Sequence, residues 1–177
     1  MIEFAVALLA SLLAMSFVEY GIHRWLMHRR TLSWLRQVYE RHTFLYHRKY
    51  CRVFNHEPDP AGRTININLE VWFGLLIASP LLVTLWWFDY TWLAALFAVI
   101  IAIHHRTWSL IHDEMHNQKW RWFRTMWPYT TLQRYHFMHH RYPGKNFNVV
   151  LPFWDFVFGT HMWPSPKDEA TMKEIGL

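Results

Sequence analysis

Residues 4–28 read FAVALLASLLAMSFVEYGIHRWLMH. The run Phe4–Val18 carries no charge, Glu19 follows it, and the segment ends on two histidines, His23 and His28. With its flanks the apolar run reaches the roughly 20 residues that a helix needs to cross a bilayer. Metal-binding side chains thus stand just beyond a candidate membrane span, and the rest of the chain repeats that juxtaposition.

A second stretch without Lys or Arg extends from Thr64 to His105. It is too long for one span. Asp89-Tyr90, between Trp86-Trp87 and Trp92, reads as a tight hairpin at the membrane surface, where amphipathic aromatics collect. The spans are therefore expected near 2–22, 69–88 and 91–111, with Pro80 kinking the second. All 18 basic residues lie elsewhere, nine in Arg24–Arg63 and nine in Arg106–Lys173. By the positive-inside rule both polar blocks are cytoplasmic, and the N-terminus and the Asp89 hairpin lie outside. A cleaved signal sequence is the alternative for the first span, but the usual basic n-region is missing and Glu3 stands in its place.

Composition narrows the class further. Of 177 residues 53% are apolar and 19% aromatic, which argues against disorder and solenoid repeats. The lone Cys51 excludes an internal disulfide and any multi-cysteine metal site. Nucleic acid is not an expected partner, because the basic residues flank membrane spans and no binding motif accompanies them. Anionic headgroups are the plain partner of the arginines. The segment Lys119–Tyr135, with Trp120, Trp122, Phe123, Trp127 and Tyr129 among its basic residues, suggests an interfacial helix broken at Pro128, or a segment packed on the membrane domain. The fold class is all-α integral membrane protein: about three transmembrane helices plus interfacial helices, with a cytoplasmic histidine-rich cap, all in one domain over 1–177.

The 13 histidines are the excess to explain. Nine fall into four groups: His23/His28, His42/His47, His112/His116 and His136/His139/His140. His112 and His116 are four apart and share a helical face, as do His136, His139 and His140. The pairs His23/His28 and His42/His47 are five apart, about 140° around an α-helix, so each needs a local distortion or serves two different metals. Neutral imidazole suits iron, zinc, copper and nickel. Nine nitrogens exceed what one ion holds, so two metals are expected, with four or five imidazoles each. The second ring nitrogen of a ligating histidine usually donates to a carboxylate or carbonyl. Glu19, Glu40, Asp113, Glu114 and Asp155 are placed for that role, or for ion pairs with neighbouring arginines.

The boxes HRWLMH, HTFLYH, HDEMH and HFMHH, with the stretch Asn146–Thr160 that holds Trp-Asp and ends in Phe-Gly-Thr, resemble the fatty acid hydroxylase superfamily over residues 19–161. This membrane di-iron group includes sterol desaturases, lipid hydroxylases and carotenoid hydroxylases. The resemblance implies two iron ions held by the nine histidines, with zinc possible in purified material. It implies an O2-dependent hydroxylase or desaturase acting on an unactivated C–H bond of a lipid, with carotenoid or sterol-type rings as alternative substrates. Relatives carry a histidine pair at the end of the second box, where this chain has Tyr46 before His47. His56, His104, His105 or His161 is then a candidate for the missing nitrogen. No glycine-rich nucleotide fingerprint or haem-anchoring segment is present, so electrons are expected from a separate ferredoxin, reductase or cytochrome. A non-catalytic membrane metal-binding protein and a metal transporter are the rivals of another class. The expected location is a bacterial inner membrane or, in a eukaryote, the endoplasmic reticulum.

Overall fold

The computed structural model describes residues 2–33, 36–50, 54 and 67–177, with the side chains of 45, 46, 48, 49 and 67–75 outside that description. The described residues form helices and turns, with no strand among them. Helix α1 (Ile2–Gly21) continues without interruption into a π-helical turn, Ile22–Met27. After a bend come α2 (Arg36–Tyr39), a second π-helical turn (Glu40–Tyr46) and α3 (His47–Tyr50). The long helices α4 (Ile67–Trp87) and α5 (Thr91–His116) follow, then a 3₁₀ turn (Trp122–Thr125), α6 (Trp127–Arg141), α7 (Phe153–Val157) and α8 (Pro166–Glu174).

Two helical segments, Ile2–Met27 and Thr91–His116, are long and apolar enough to cross a membrane. The described side chains of α4 add a shorter apolar run, Leu76–Trp87. Helices α4 and α5 form the expected hairpin through Asp89, whose φ of 61° is the left-handed conformation that Asp tolerates in a tight turn. Helix α4 runs through Pro80, and Thr84 Oγ1 donates to the Pro80 carbonyl. Helices α1 and α4 pack against α5 around Met15, Ala78, Phe97, Ile100 and Ile101. The outer faces leave Leu9, Leu76, Val83, Trp87, Val99 and Ile103 exposed, an apolar surface of the kind that acyl chains cover.

A second apolar cluster lies at the C-terminal end of α5. Ile111 and Met115 of α5, Tyr129, Phe137 and Met138 of α6, Val149 and Met172 of α8 gather around Phe54. Helix α8 is started by a capping box between Ser165 and Asp168. Asp168 in turn accepts from Tyr142 Oη and pairs with Arg141 at the end of α6. The segment expected as one helix broken at Pro128 is instead an extended stretch and a 3₁₀ turn, with α6 beginning at Trp127 and Pro128 in its first turn. Proline has no N–H to give and a φ preset for the first helical turn, so it starts this helix rather than interrupting it.

Candidate metal centre

All nine box histidines converge on one another, beside the apolar cluster around Phe54. His23, His28, His42, His47 and His139 present ligand nitrogens within 4.8 Å of one another, and His112, His116 and His136 form a second such group. His140 joins the second group through His136, with their Nε2 atoms 3.0 Å apart. It also stacks on His47 at a ring separation of 4.4 Å, so the groups adjoin. Eight of the nine are buried, and His28 is half-buried.

The awkward five-residue spacing is resolved by the backbone. Both N-terminal boxes sit on π-helical turns, where hydrogen bonds run from residue i+5 to residue i. The N–H of His28 reaches the His23 carbonyl at 3.2 Å, and that of His47 reaches the His42 carbonyl. The wider turn puts i and i+5 on one face, which an α-helix denies them. The C-terminal boxes need no such distortion. His112/His116 and His136/His140 are i, i+4 pairs on the ordinary helices α5 and α6.

Backbone carbonyls then set the tautomers. His23 Nδ1 donates to Phe147 O, His139 Nδ1 to Lys145 O at 2.7 Å, and His116 Nδ1 to Phe54 O at 2.9 Å. A carbonyl only accepts, so in each neutral ring the proton is on Nδ1 and Nε2 is a bare lone pair. In the first group Nε2 atoms meet in five contacts of 3.0–3.2 Å: His23–His42, His28–His139, His28–His42, His42–His47 and His47–His139. His23 and His139 have no Nε2 proton to offer, so three rings at most can donate, one contact each. At least two contacts therefore set like against like, lone pair facing lone pair or N–H facing N–H, a repulsion that a central cation bound by the Nε2 lone pairs would remove.

The spacing fits such an ion. At a metal–imidazole distance of about 2.1 Å, adjacent nitrogens stand about 3.0 Å apart around an octahedron and about 3.4 Å apart around a tetrahedron. The observed 3.0–3.2 Å contacts, with five nitrogens in one group, suit ligands to a shared ion. Burial also prepares the donors, because desolvation disfavours the imidazolium. It lowers His28 to about 2 and His47 to about 3, and holds His42, His136, His139 and His140 well below the ordinary histidine value. These rings are neutral at physiological pH, as ligation requires.

The carboxylates divide into two kinds. Glu40 pairs with Arg36, and Asp113 and Glu114 both pair with Arg121, the plainer of the two expected roles. Glu19 and Asp155 do not accept from a ligating ring either. Asp155 receives Phe147 N–H at 2.9 Å and Asn148 N–H at 2.8 Å, and Glu19 receives Val149 N–H at 2.5 Å and Val150 N–H at 3.3 Å. They hold the loop that presents Phe147 O to His23, one step further out than the sequence suggests.

Of the four remaining histidines, His56 lies outside the described residues. His104 is buried with Nε2 3.1 Å from Glu19 Oε2, His105 stays beside Ser109 on α5, and His161 stacks between Tyr135 and Phe156. None of these three belongs to either ligand group. The side chain of Tyr46 is also outside the description. The residues that sequence reasoning missed are Phe54, Lys145 and Phe147, which act through backbone carbonyls and so leave no side-chain signature. Neither a curated protein nor a solved structure matches the chain. The profile of one family, Fatty acid hydroxylase, matches residues 8–160, a stretch that contains both ligand groups and the loop that orients them. The chain belongs to the fatty acid hydroxylase family.

Proposed function

We propose that the protein is a membrane di-iron oxygenase that hydroxylates, or desaturates, an unactivated C–H bond of a lipid. The observation that carries this reading is the pair of adjoining imidazole groups at the ends of apolar helices, in a chain of a hydroxylase family. His23, His28, His42, His47 and His139 hold one iron, and His112, His116, His136 and His140 the other. When bound, the two ions supply dioxygen activation and the attack on the C–H bond. The protein keeps His28, His42, His47, His136, His139 and His140 neutral, fixes the tautomers of His23, His116 and His139, and excludes water with Phe54 and Phe147 against the rings.

Three spans, α1, α4 and α5, carry the site to the cytoplasmic surface, where the 18 basic residues concentrate. In a bacterium this is the inner membrane, and in a eukaryote the endoplasmic reticulum. A lipid tail rising between spans reaches such a site without leaving an apolar environment. A separate ferredoxin, reductase or cytochrome delivers electrons to the basic face. Metal analysis of the purified chain should find two irons per chain, or zinc where it has replaced iron, and fewer than two metals overturns the dinuclear reading. Oxygen uptake that depends on reductase and lipid extract, with one oxygen added to a lipid by mass spectrometry, identifies hydroxylation. Full metal occupancy without oxygen uptake would instead favour a metal-stabilised structural protein.

A further inference from the structure

The buried face of α1 is unusually polar for a helix of this apolarity: Ser11, Ser16, Glu19 and Tyr20 lie on it with Met15. Part of this face is covered by α5 around Met15, and part by the segment 147–160, in which the short helix α7 is flanked by irregular backbone. Trp154 Nε1 donates to Leu13 O at 2.8 Å, Ser16 Oγ donates to Leu151 O at 2.7 Å, and Asn148 Nδ2 donates to Ser16 O at 2.9 Å. Tyr20 Oη lies 3.2 Å from Thr160 Oγ1. The segment therefore runs down α1 as far as Leu13, ten residues before His23, or about 15 Å at 1.5 Å per helical residue. That is about half the roughly 30 Å thickness of a hydrocarbon core. Were Leu13–Val18 above the bilayer, only Phe4–Leu12 of the uncharged run between Glu3 and Glu19 would remain inside, about 14 Å of helix.

Irregular backbone is tolerated at membrane depth only where its polar groups are satisfied within the protein. Here four consecutive N–H groups, of Phe147, Asn148, Val149 and Val150, are taken up by the two buried carboxylates Asp155 and Glu19. Asp155 also accepts from Thr160 Oγ1 at 2.7 Å, and its own carbonyl accepts the N–H groups of Thr160 and His161. The side away from α1 is apolar and exposed: Leu151, Phe153, Phe156 and Val157 are each 36–54% exposed, and Phe158, which stacks on Tyr20 of α1, is still 43% exposed. This surface is continuous with the exposed Leu9, Leu12 and Phe17 of α1, through the contact of Phe17 with Trp154 at 5.0 Å.

We propose that residues 149–158 form a re-entrant segment that dips into the cytoplasmic half of the bilayer beside α1, with Leu151, Phe153, Phe156, Val157 and Phe158 in contact with lipid acyl chains. The segment is additional to the three spans, and the inference rests on α1 being one of them. It gives Glu19 and Asp155 a joint duty, since the same hydrogen bonds that admit the loop to the membrane also aim Phe147 O at His23.

The test uses the full-length, metal-loaded protein in phosphatidylcholine vesicles, in a Cys51→Ser background. Single cysteines carrying a nitroxide are placed in turn at Leu151, Phe153 and Val157, with Val6→Cys as the lipid reference and Glu174→Cys as the aqueous one. Each variant is read for metal content and for relaxation by oxygen against a water-soluble nickel chelate. Labels on the segment should follow Val6, relaxed by oxygen and shielded from nickel, and this outcome at two of the three positions supports the proposal. Nickel accessibility equal to Glu174, with Val6 still shielded, overturns the re-entrant segment and leaves the membrane reading intact. Nickel accessibility at Val6 as well overturns both.

Discussion

The two halves of the candidate metal centre use the same side chain on different backbones. The N-terminal boxes place their histidines five residues apart and bring them onto one face with π-helical turns, whereas the C-terminal boxes use i, i+4 spacing on ordinary helices. A π turn has poorer packing than an α turn and tends to persist where function requires it. The difference shows that spacing alone does not fix a ligand set. What matters is the pitch of the helix beneath it, and the pitch in the N-terminal half is held by contacts from elsewhere in the chain, such as Thr43 Oγ1 to Met27 O and His23 Nδ1 to Phe147 O.

The largest expected effect comes from removing a ligand from either half. His28→Ala and His116→Ala should each lower activity by at least about 100-fold, since even partners behind the ligands cost 10–100-fold. Metal analysis separates the halves, with each variant losing one ion preferentially, and unchanged metal content in either would remove that residue from the ligand set. Next comes the loop that serves only the N-terminal half. Asp155→Ala should weaken metal binding about 10–100-fold by freeing Phe147 and Asn148, with the loss concentrated in the five-histidine group. An equal loss from both groups would show that the halves are coupled rather than separately positioned.

Acid should act on the metal-free N-terminal half through His28 and His47. The folded-state values of His28 and His47 are lowered to about 2 and about 3 against 6.5 in the unfolded chain, so the unfolded state binds more protons below 6.5. Stability of the metal-free protein should be constant above that value and fall as the pH drops through it, down to the folded values, by at most about 1.4 kcal/mol per pH unit for each such histidine. A melting temperature that stays flat from pH 7 to pH 5 would contradict this. The smallest effect is expected at Glu40→Gln, in the N-terminal half but outside its ligand group. Its exposed pair with Arg36 should contribute less than about 0.5 kcal/mol by thermal unfolding, with metal content unchanged.

Much of this molecule is legible along the chain. Apolar runs free of Lys and Arg mark α1, α4 and α5 to within a few residues, because a helix that faces acyl chains tolerates few charges. The nine histidines are visible because no other residue type clusters in that way without a reason. The roles of Glu19 and Asp155 are not visible. A carboxylate close in sequence to a histidine looks like its hydrogen-bond partner, yet both turn to the backbone of residues 147–150, and for Glu19 that partner is about 130 residues away. Pro128 is similarly ambiguous, since proline stops a helix or starts one according to which neighbours the chain packs against.

By itself the sequence determined the helical class, the positions of the apolar helices and the nine imidazoles, since these follow from local hydropathy and residue chemistry. The tertiary structure alone decided how those imidazoles divide into five and four, which ring nitrogen carries the proton, and how a five-residue spacing becomes a shared face. Each of those depends on groups distant in the chain, the carbonyls of Phe54, Lys145 and Phe147 above all, and a backbone carbonyl leaves no mark in a sequence because every residue has one.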